Sequence, residues 1–242
     1  MRIVIVRHGD PNYELDSLTE IGWEEARLVA DRIAKMNVKD FYVSPLGRAQ
    51  DTASCTLKKM GRKAITYDWL REFPPTIKRP DREGQSICWD WLPQDWTQEE
   101  RFYSVTDWLE VDNMKNSQVS QEYNKVCEGL DEILASYGYF RENNYYRVEK
   151  ANADTIVFFC HFGVECVLLS RLLNVSPMIL WHGFCAAPSS VTTVYTEERR
   201  KGIASWRVSE FGDTSHLYKE GKKPSFSARF CECYDNMEER HD

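Results

Sequence analysis

Apolar residues along this chain gather in short unbroken runs that stop abruptly on polar ones. Ile3, Val4, Ile5 and Val6 form the first run, and all four are β-branched. A run without alternation predicts a strand covered on both faces, as in a parallel sheet. It ends on Arg7, His8 and Gly9. The stretch SLTEIGWEEARLVADRIAKM then puts Ala26, Val29, Ala30 and Ile33 at helical spacing behind Thr19, a good N-cap residue, with acidic residues early. FYVS (41–44) repeats the strand-then-polar pattern, PLGRAQDTASCTLKKMG reads as a helix closed by Gly61, and AITY (64–67) as a third strand.

Strands alternating with helices at this spacing predict βαβ units. The alternation breaks between Phe73 and Asp154, where Pro74, Pro75, Pro80 and Pro93 are interspersed with Trp89, Trp91, Trp96 and Trp108, ahead of a long helical pattern in SQEYNKVCEGLDEILASYGYF. DTIVFFCHFGVECVLLSRLLN then supplies a buried strand (155–160), a polar break at His161 and a helix to about Leu173. SVTTVYTEE and GIASWRVSEFG predict a late hairpin turning at RRKG. The expectation is an α/β fold: a three-layer α/β/α sandwich with a mostly parallel sheet. One domain spans 1–242, with a mainly helical, Trp-rich, cap-like insertion at 73–154.

Composition narrows the functions. A net charge of −7 over 242 residues argues against a general nucleic-acid binder. No stretch approaches the roughly 20 apolar residues that span a bilayer, and MRIVIVRHG lacks the form of a signal peptide. A cytoplasmic, soluble protein without a membrane partner is expected. The eight cysteines are scattered and read as reduced thiols. The single-residue spacing of Cys231 and Cys233 is poor for zinc, so no metal is expected.

Three strands end in similar chemistry: Arg7 and His8 after the first, Ser44 to Arg48 after the second, Cys160 and His161 after the fourth. The carboxyl ends of parallel strands share one edge, where ligands of open α/β sheets bind. Two arginines and two histidines there suggest an oxyanion, and helices starting after Ser44 and His161 would add their N-terminal amides.

RHGDP (7–11), LTEIG (18–22), SPLGRAQDTA (44–53), LREF (70–73), CHFG (160–163) and GDTSHL (212–217) resemble the histidine phosphatase, or phosphoglycerate mutase-like, superfamily. Phe162 stands where the acid phosphatase and phytase branch would carry Asp. The resemblance implies that His8 is the nucleophile of a phosphoric monoester hydrolase, a histidine acid-type phosphatase working through a phosphohistidine on a small phosphorylated metabolite, without a cofactor. It implies that Arg7, Arg48 and His161 bind the phosphoryl oxygens, with Gly163 in the substrate-binding set. For the general acid, Glu72 matches best; Glu83 in DREGQS is the rival and Asp10 a third candidate. His8 must be neutral, with one nitrogen donating to a carbonyl near Gly9, and the two arginines should depress both histidine pKa values.

The chain departs from the family in its short DPNYELDS loop, where Asn12 stands in for a polar phosphate ligand, and in lacking the sequence that surrounds the acid of glycolytic mutases. A mutase-type phosphotransferase and a non-catalytic phospholigand-binding module are the alternatives. His182 reads as structural, and His216 as part of a helix start capped by Asp213, Thr214 or Ser215. Ser189 and Ser190 are as readily substrate contacts as strand-start residues. Lys78, Arg79 and Arg82 read as an exposed basic loop before they read as a second anion site.

Overall fold

The computed structural model describes residues 1–80, 82–225 and 227, together with the strand backbone of 232–233 and 236–240. The Cys231–Cys233 spacing and the charged end of the chain therefore fall outside the residues described in full. Eight strands make one sheet: β1 (Arg2–Arg7), β2 (Asp40–Val43), β3 (Ile65–Thr66), β4 (Tyr139–Glu142), β5 (Tyr145–Val148), β6 (Thr155–Cys160), β7 (Val191–Arg200) and β8 (Ile203–Asp213). Their order is β3-β2-β6-β1-β7-β8-β5-β4. The first four are mutually parallel, and the rest continue antiparallel from β1. The sheet is thus mixed, with a parallel centre.

Helices cover both faces, as the unbroken apolar runs require. On one face Val4, Val6, Phe41, Val43, Val157 and Phe159 pack against Val29 and Ile33 of α1 (Glu20–Ile33) and Ala49 and Ala53 of α2 (Gly47–Met60). On the other, Ile3, Ile5, Ile156 and Phe158 meet Leu130, Ile133 and Leu134 of α3 (Val119–Ser136) and Val164 and Leu168 of α4 (Phe162–Leu173). Each fully buried Val, Leu, Ile or Phe side chain contributes about 1.5–3 kcal/mol relative to exposure. The helix ends follow the sequence: the Thr19 hydroxyl accepts from Gly22 N, and Gly61 closes α2 at φ +63.

Segment 73–154 is more mixed than its helical pattern suggests. Besides α3 and shorter helical pieces it contains a hairpin, Thr76–Lys78 with Gln85–Ile87, and the β4–β5 hairpin, which joins the main sheet through β8. Asn143, at φ +51, makes the β4–β5 turn. The four tryptophans are buried here. Among the described residues no helix is long and apolar enough to cross a membrane, and Cys55, Cys88, Cys127, Cys160 and Cys166 are free thiols.

Candidate active site

Strand register brings the three polar breaks side by side. Arg7 is paired with Cys160 and Phe159 with Val43, and the ladder continues past the strands through His8 N to Cys160 O (3.0 Å) and Ser44 N to Phe159 O (2.9 Å). His8, Ser44 and His161 therefore emerge along one edge. The rings of His8 and His161 lie 5.1 Å apart, centroid to centroid.

His8 is held by its own chain. Its Nδ1 donates to the Gly9 carbonyl at 2.7 Å, which fixes the neutral tautomer and leaves the Nε2 lone pair uncommitted. Burial, then the charges of Arg7 and Arg48, hold its pKa well below the usual histidine value. The arginines act as the sequence suggests, but burial dominates. Gly9 N donates to the Thr52 hydroxyl, which donates to Arg48 O, tying this loop to α2. Gly9 also lies against the backbone of α1: a Cβ here would sit 2.7 Å from Gly22 O, and one on Gly22 2.2 Å from Asp10 O.

Arg48, in the first turn of α2, donates from Nη1 to Asp16 at 2.6 Å, while the other Asp16 oxygen accepts from Gly47 N at 2.7 Å. The helix has no side-chain cap of its own, so this carboxylate satisfies one of its open amides. The Tyr13 ring covers the guanidinium, 5.5 Å from its centre.

His161 is the N-cap residue of α4. The Ser44 hydroxyl accepts from Leu46 N (3.2 Å) and is hydrogen-bonded to His161 Nε2 at 2.7 Å. With that hydroxyl donating, the proton of the neutral ring sits on Nδ1, a buried atom without a partner among the described residues. Burial, with His8 and the two arginines, again depresses the pKa. His161 can thus offer an N–H to an oxyanion.

Glu72 reaches the same helix end. Its Oε1 accepts from Phe73 N (2.9 Å) and from Val164 N in the first turn of α4 (3.2 Å). Gly163 makes room for it, since a Cβ there would lie 2.6 Å from Oε1 and 3.1 Å from the Trp89 ring. Trp89 Nε1 in turn donates to Phe73 O at 3.2 Å. Burial raises the Glu72 pKa against the pull of these amides and of Arg7 and Arg48. A carboxyl whose pKa is raised by burial beside two cations suits proton transfer to a leaving oxygen.

The other candidates lie elsewhere. Glu83 is exposed in the turn of the 76–87 hairpin. Asn12 uses its carbonyl oxygen to accept from Leu15 N at 3.2 Å, within the loop. Both Asp10 oxygens are occupied, by the hydroxyls of Thr19 and Ser225. His182 is structural: its Nδ1 donates to Met178 O and its Nε2 accepts from Trp91 N. Sequence reading overlooked Glu165, buried on α4 one turn beyond His161, whose pKa burial pushes up to about 7 against Thr192 and Arg7. The available signal was a lone carboxylate inside the apolar run GVECVLL. Among the described residues no cluster of His, Cys, Asp and Glu could hold a metal ion.

A profile of the histidine phosphatase superfamily (branch 1) matches residues 3–209, and the chain belongs to that family. The probable phosphoglycerate mutase GpmB of Yersinia enterocolitica is 33% identical over 82 residues, 30% of this chain and 38% of the relative. The chain thus spans well under half the length of the curated relatives it matches. Among solved structures, a phosphoserine phosphatase mutant from Entamoeba histolytica in complex with phosphoserine superposes with a TM-score of 0.56 at 20% identity, covering 89% of this chain and 98% of that one. A mycobacterial glucosyl-3-phosphoglycerate phosphatase gives a TM-score of 0.57 at 20% identity over 88% and 99%. At this identity the likeness is one of fold.

Proposed function

We propose that the chain hydrolyses small phosphate monoesters through a phosphohistidine on His8. The observation that carries this reading is the bond from His8 Nδ1 to Gly9 O, which leaves Nε2 as a neutral nucleophile beside Arg7, Arg48 and His161. Nε2 attacks phosphorus as the bond to the ester oxygen breaks, and the Glu72 proton passes to that oxygen. The Gly9 carbonyl supports the positive charge the ring acquires. Arg7, Arg48 and the Nδ1–H of His161 hold the three remaining oxygens. Water then attacks phosphorus, the Glu72 carboxylate takes its proton, and the N–P electron pair returns to Nε2. Glu72 is preferred to Glu83 because it is partly buried and feels the charge of both arginines, whereas Glu83 is exposed. Segment 73–154, whose Trp89 packs on Gly163, would form the substrate-selecting cap of the same domain.

The stretch shared with probable phosphoglycerate mutases supports a second reading, in which a hydroxyl of another acceptor replaces water. The first half-reaction is common to both. Incubation with 32P-labelled ester, quenched in alkali, should yield a base-stable, acid-labile label on the protein. His8→Ala should lose both the label and 4-nitrophenyl phosphate hydrolysis. Release of inorganic phosphate from labelled protein in water alone marks the hydrolase; transfer of the label to an added phosphorylated hydroxy acid, without inorganic phosphate, marks the transferase. Unlabelled protein whose hydrolysis survives His8→Ala defeats both.

A further inference from the structure

The segment Cys185–Ser190 touches the catalytic loop at three points, yet the mechanism uses none of its side chains. Arg7 Nη1 donates to Ala186 O, Arg7 N to Ser190 O at 3.1 Å, and Ser189 N to His8 O at 2.9 Å. Arg7 and His8, two of the residues that would meet the phosphoryl group, thus lean on this segment. Ser189, at the centre, stands at φ +58, a left-handed conformation that is unfavourable for a residue with a Cβ unless its surroundings hold it. The restraint is visible: its buried hydroxyl lies 3.2 Å from Nε2 of His216, itself buried. His216 belongs to the short helix Ser215–Tyr218, whose start is capped by Asp213 accepting from Ser215 N at 3.0 Å, and Arg32 of α1 holds Asp213 in turn.

We propose that His216 is a positioning residue, whose bond to the Ser189 hydroxyl maintains the left-handed turn that aims Arg7 and His8 at the phosphoryl group. The inference goes beyond helix capping and rests on the phosphohistidine reading of His8. A chain of backbone hydrogen bonds carries the effect, so loss of the imidazole displaces the reacting groups without removing any of them.

The test compares His216→Ala, Ser189→Ala, their combination, and His216→Ala with Ser189→Gly. Readouts are kcat and KM for 4-nitrophenyl phosphate and the Kd for orthovanadate per folded protein, with circular dichroism as the folding control. A misplacement of this kind costs about tenfold to a hundredfold in kcat with little change in KM. Each alanine variant should show that loss together with weaker vanadate binding, and the double alanine variant should be no worse than either. Glycine at 189, which needs no tether at φ +58, should restore most of the loss in the His216→Ala background. Wild-type kcat and vanadate affinity in His216→Ala overturn the proposal, as do losses that multiply in the double alanine variant. Should His216→Ala fail to fold, Ser189→Ala carries the same expected loss, and wild-type behaviour in it is equally fatal. If the native protein binds vanadate but turns nothing over, the hydrolase reading fails, and the vanadate affinities alone decide the role of His216.

Discussion

At the end of β1, His8 is fixed by the carbonyl of the next residue in its own chain; at the end of β6, His161 is fixed by a hydroxyl that arrives from β2. Both rings are buried, both pKa values are depressed, and both are neutral, yet the restraints differ in kind. A backbone carbonyl survives every substitution that leaves the turn intact. A serine hydroxyl does not. The Glu72 carboxyl belongs with His161, since its place depends on an amide of α4 and on the missing side chain of Gly163. The His8 tautomer at the β1 end is thus set by the main chain, whereas the His161 and Glu72 placements at the β6 end are set by contacts that single substitutions can remove.

At the β6 end the largest effect should come from Glu72→Gln, which keeps the shape and removes the proton. For an alkyl phosphate kcat should fall by about 10²–10⁴-fold, the usual range for a general acid. With 4-nitrophenyl phosphate, whose leaving group needs little protonation, a rapid burst of nitrophenolate should precede slow turnover, because water activation also needs Glu72. Since burial raises this carboxyl's pKa, wild-type kcat/KM on the alkyl ester should decline as pH rises through that value, and the variant should lack this limb. Wild-type rates in Glu72→Gln would move the acid elsewhere.

Gly163→Ala tests the same end without replacing a reacting group. Its methyl would crowd Glu72 Oε1 at 2.6 Å and Trp89 at 3.1 Å, and a displaced carboxyl should lower kcat by about 10²-fold. An unchanged kcat would mean that the segment bearing Glu72 yields freely. Ser44→Ala should have the smallest effect, on the order of tenfold in kcat, by freeing the His161 tautomer that presents Nδ1–H. Nitrogen-15 spectra sharpen the contrast: His8 should remain Nδ1-protonated in Ser44→Ala while His161 becomes a mixture. A mixture at both rings would erase the distinction.

Much of the β1 end could be read directly from residue order. IVIV followed by RHG marks a doubly buried strand delivering polar groups to its carboxyl edge, and FYVS and TIVFFCH repeat the pattern. Thr19, Gly61 and the turn at RRKG announced themselves through local chemistry that tertiary contacts did not override. The β6 end was less legible. Its hydroxyl lies 117 residues from the imidazole it holds, and no local pattern encodes that approach. The β4–β5 hairpin was hidden for another reason: YFRE and YYRV are short and only partly buried, so neither hydrophobic alternation nor length distinguishes them, although ENNY carries the asparagines of a tight turn. Glu165 broke an apolar rhythm, but burial beside Arg7 is a property of the assembled sheet.

The contact between Gly9 and Gly22 has a consequence for inheritance. Each position is closed to a methyl group by main-chain atoms of the other's neighbourhood, so no compensating side-chain change can reopen either one. The two behave as a single genetic letter written 13 residues apart, and a library randomised at both should return glycine at both wherever the nucleophile remains active.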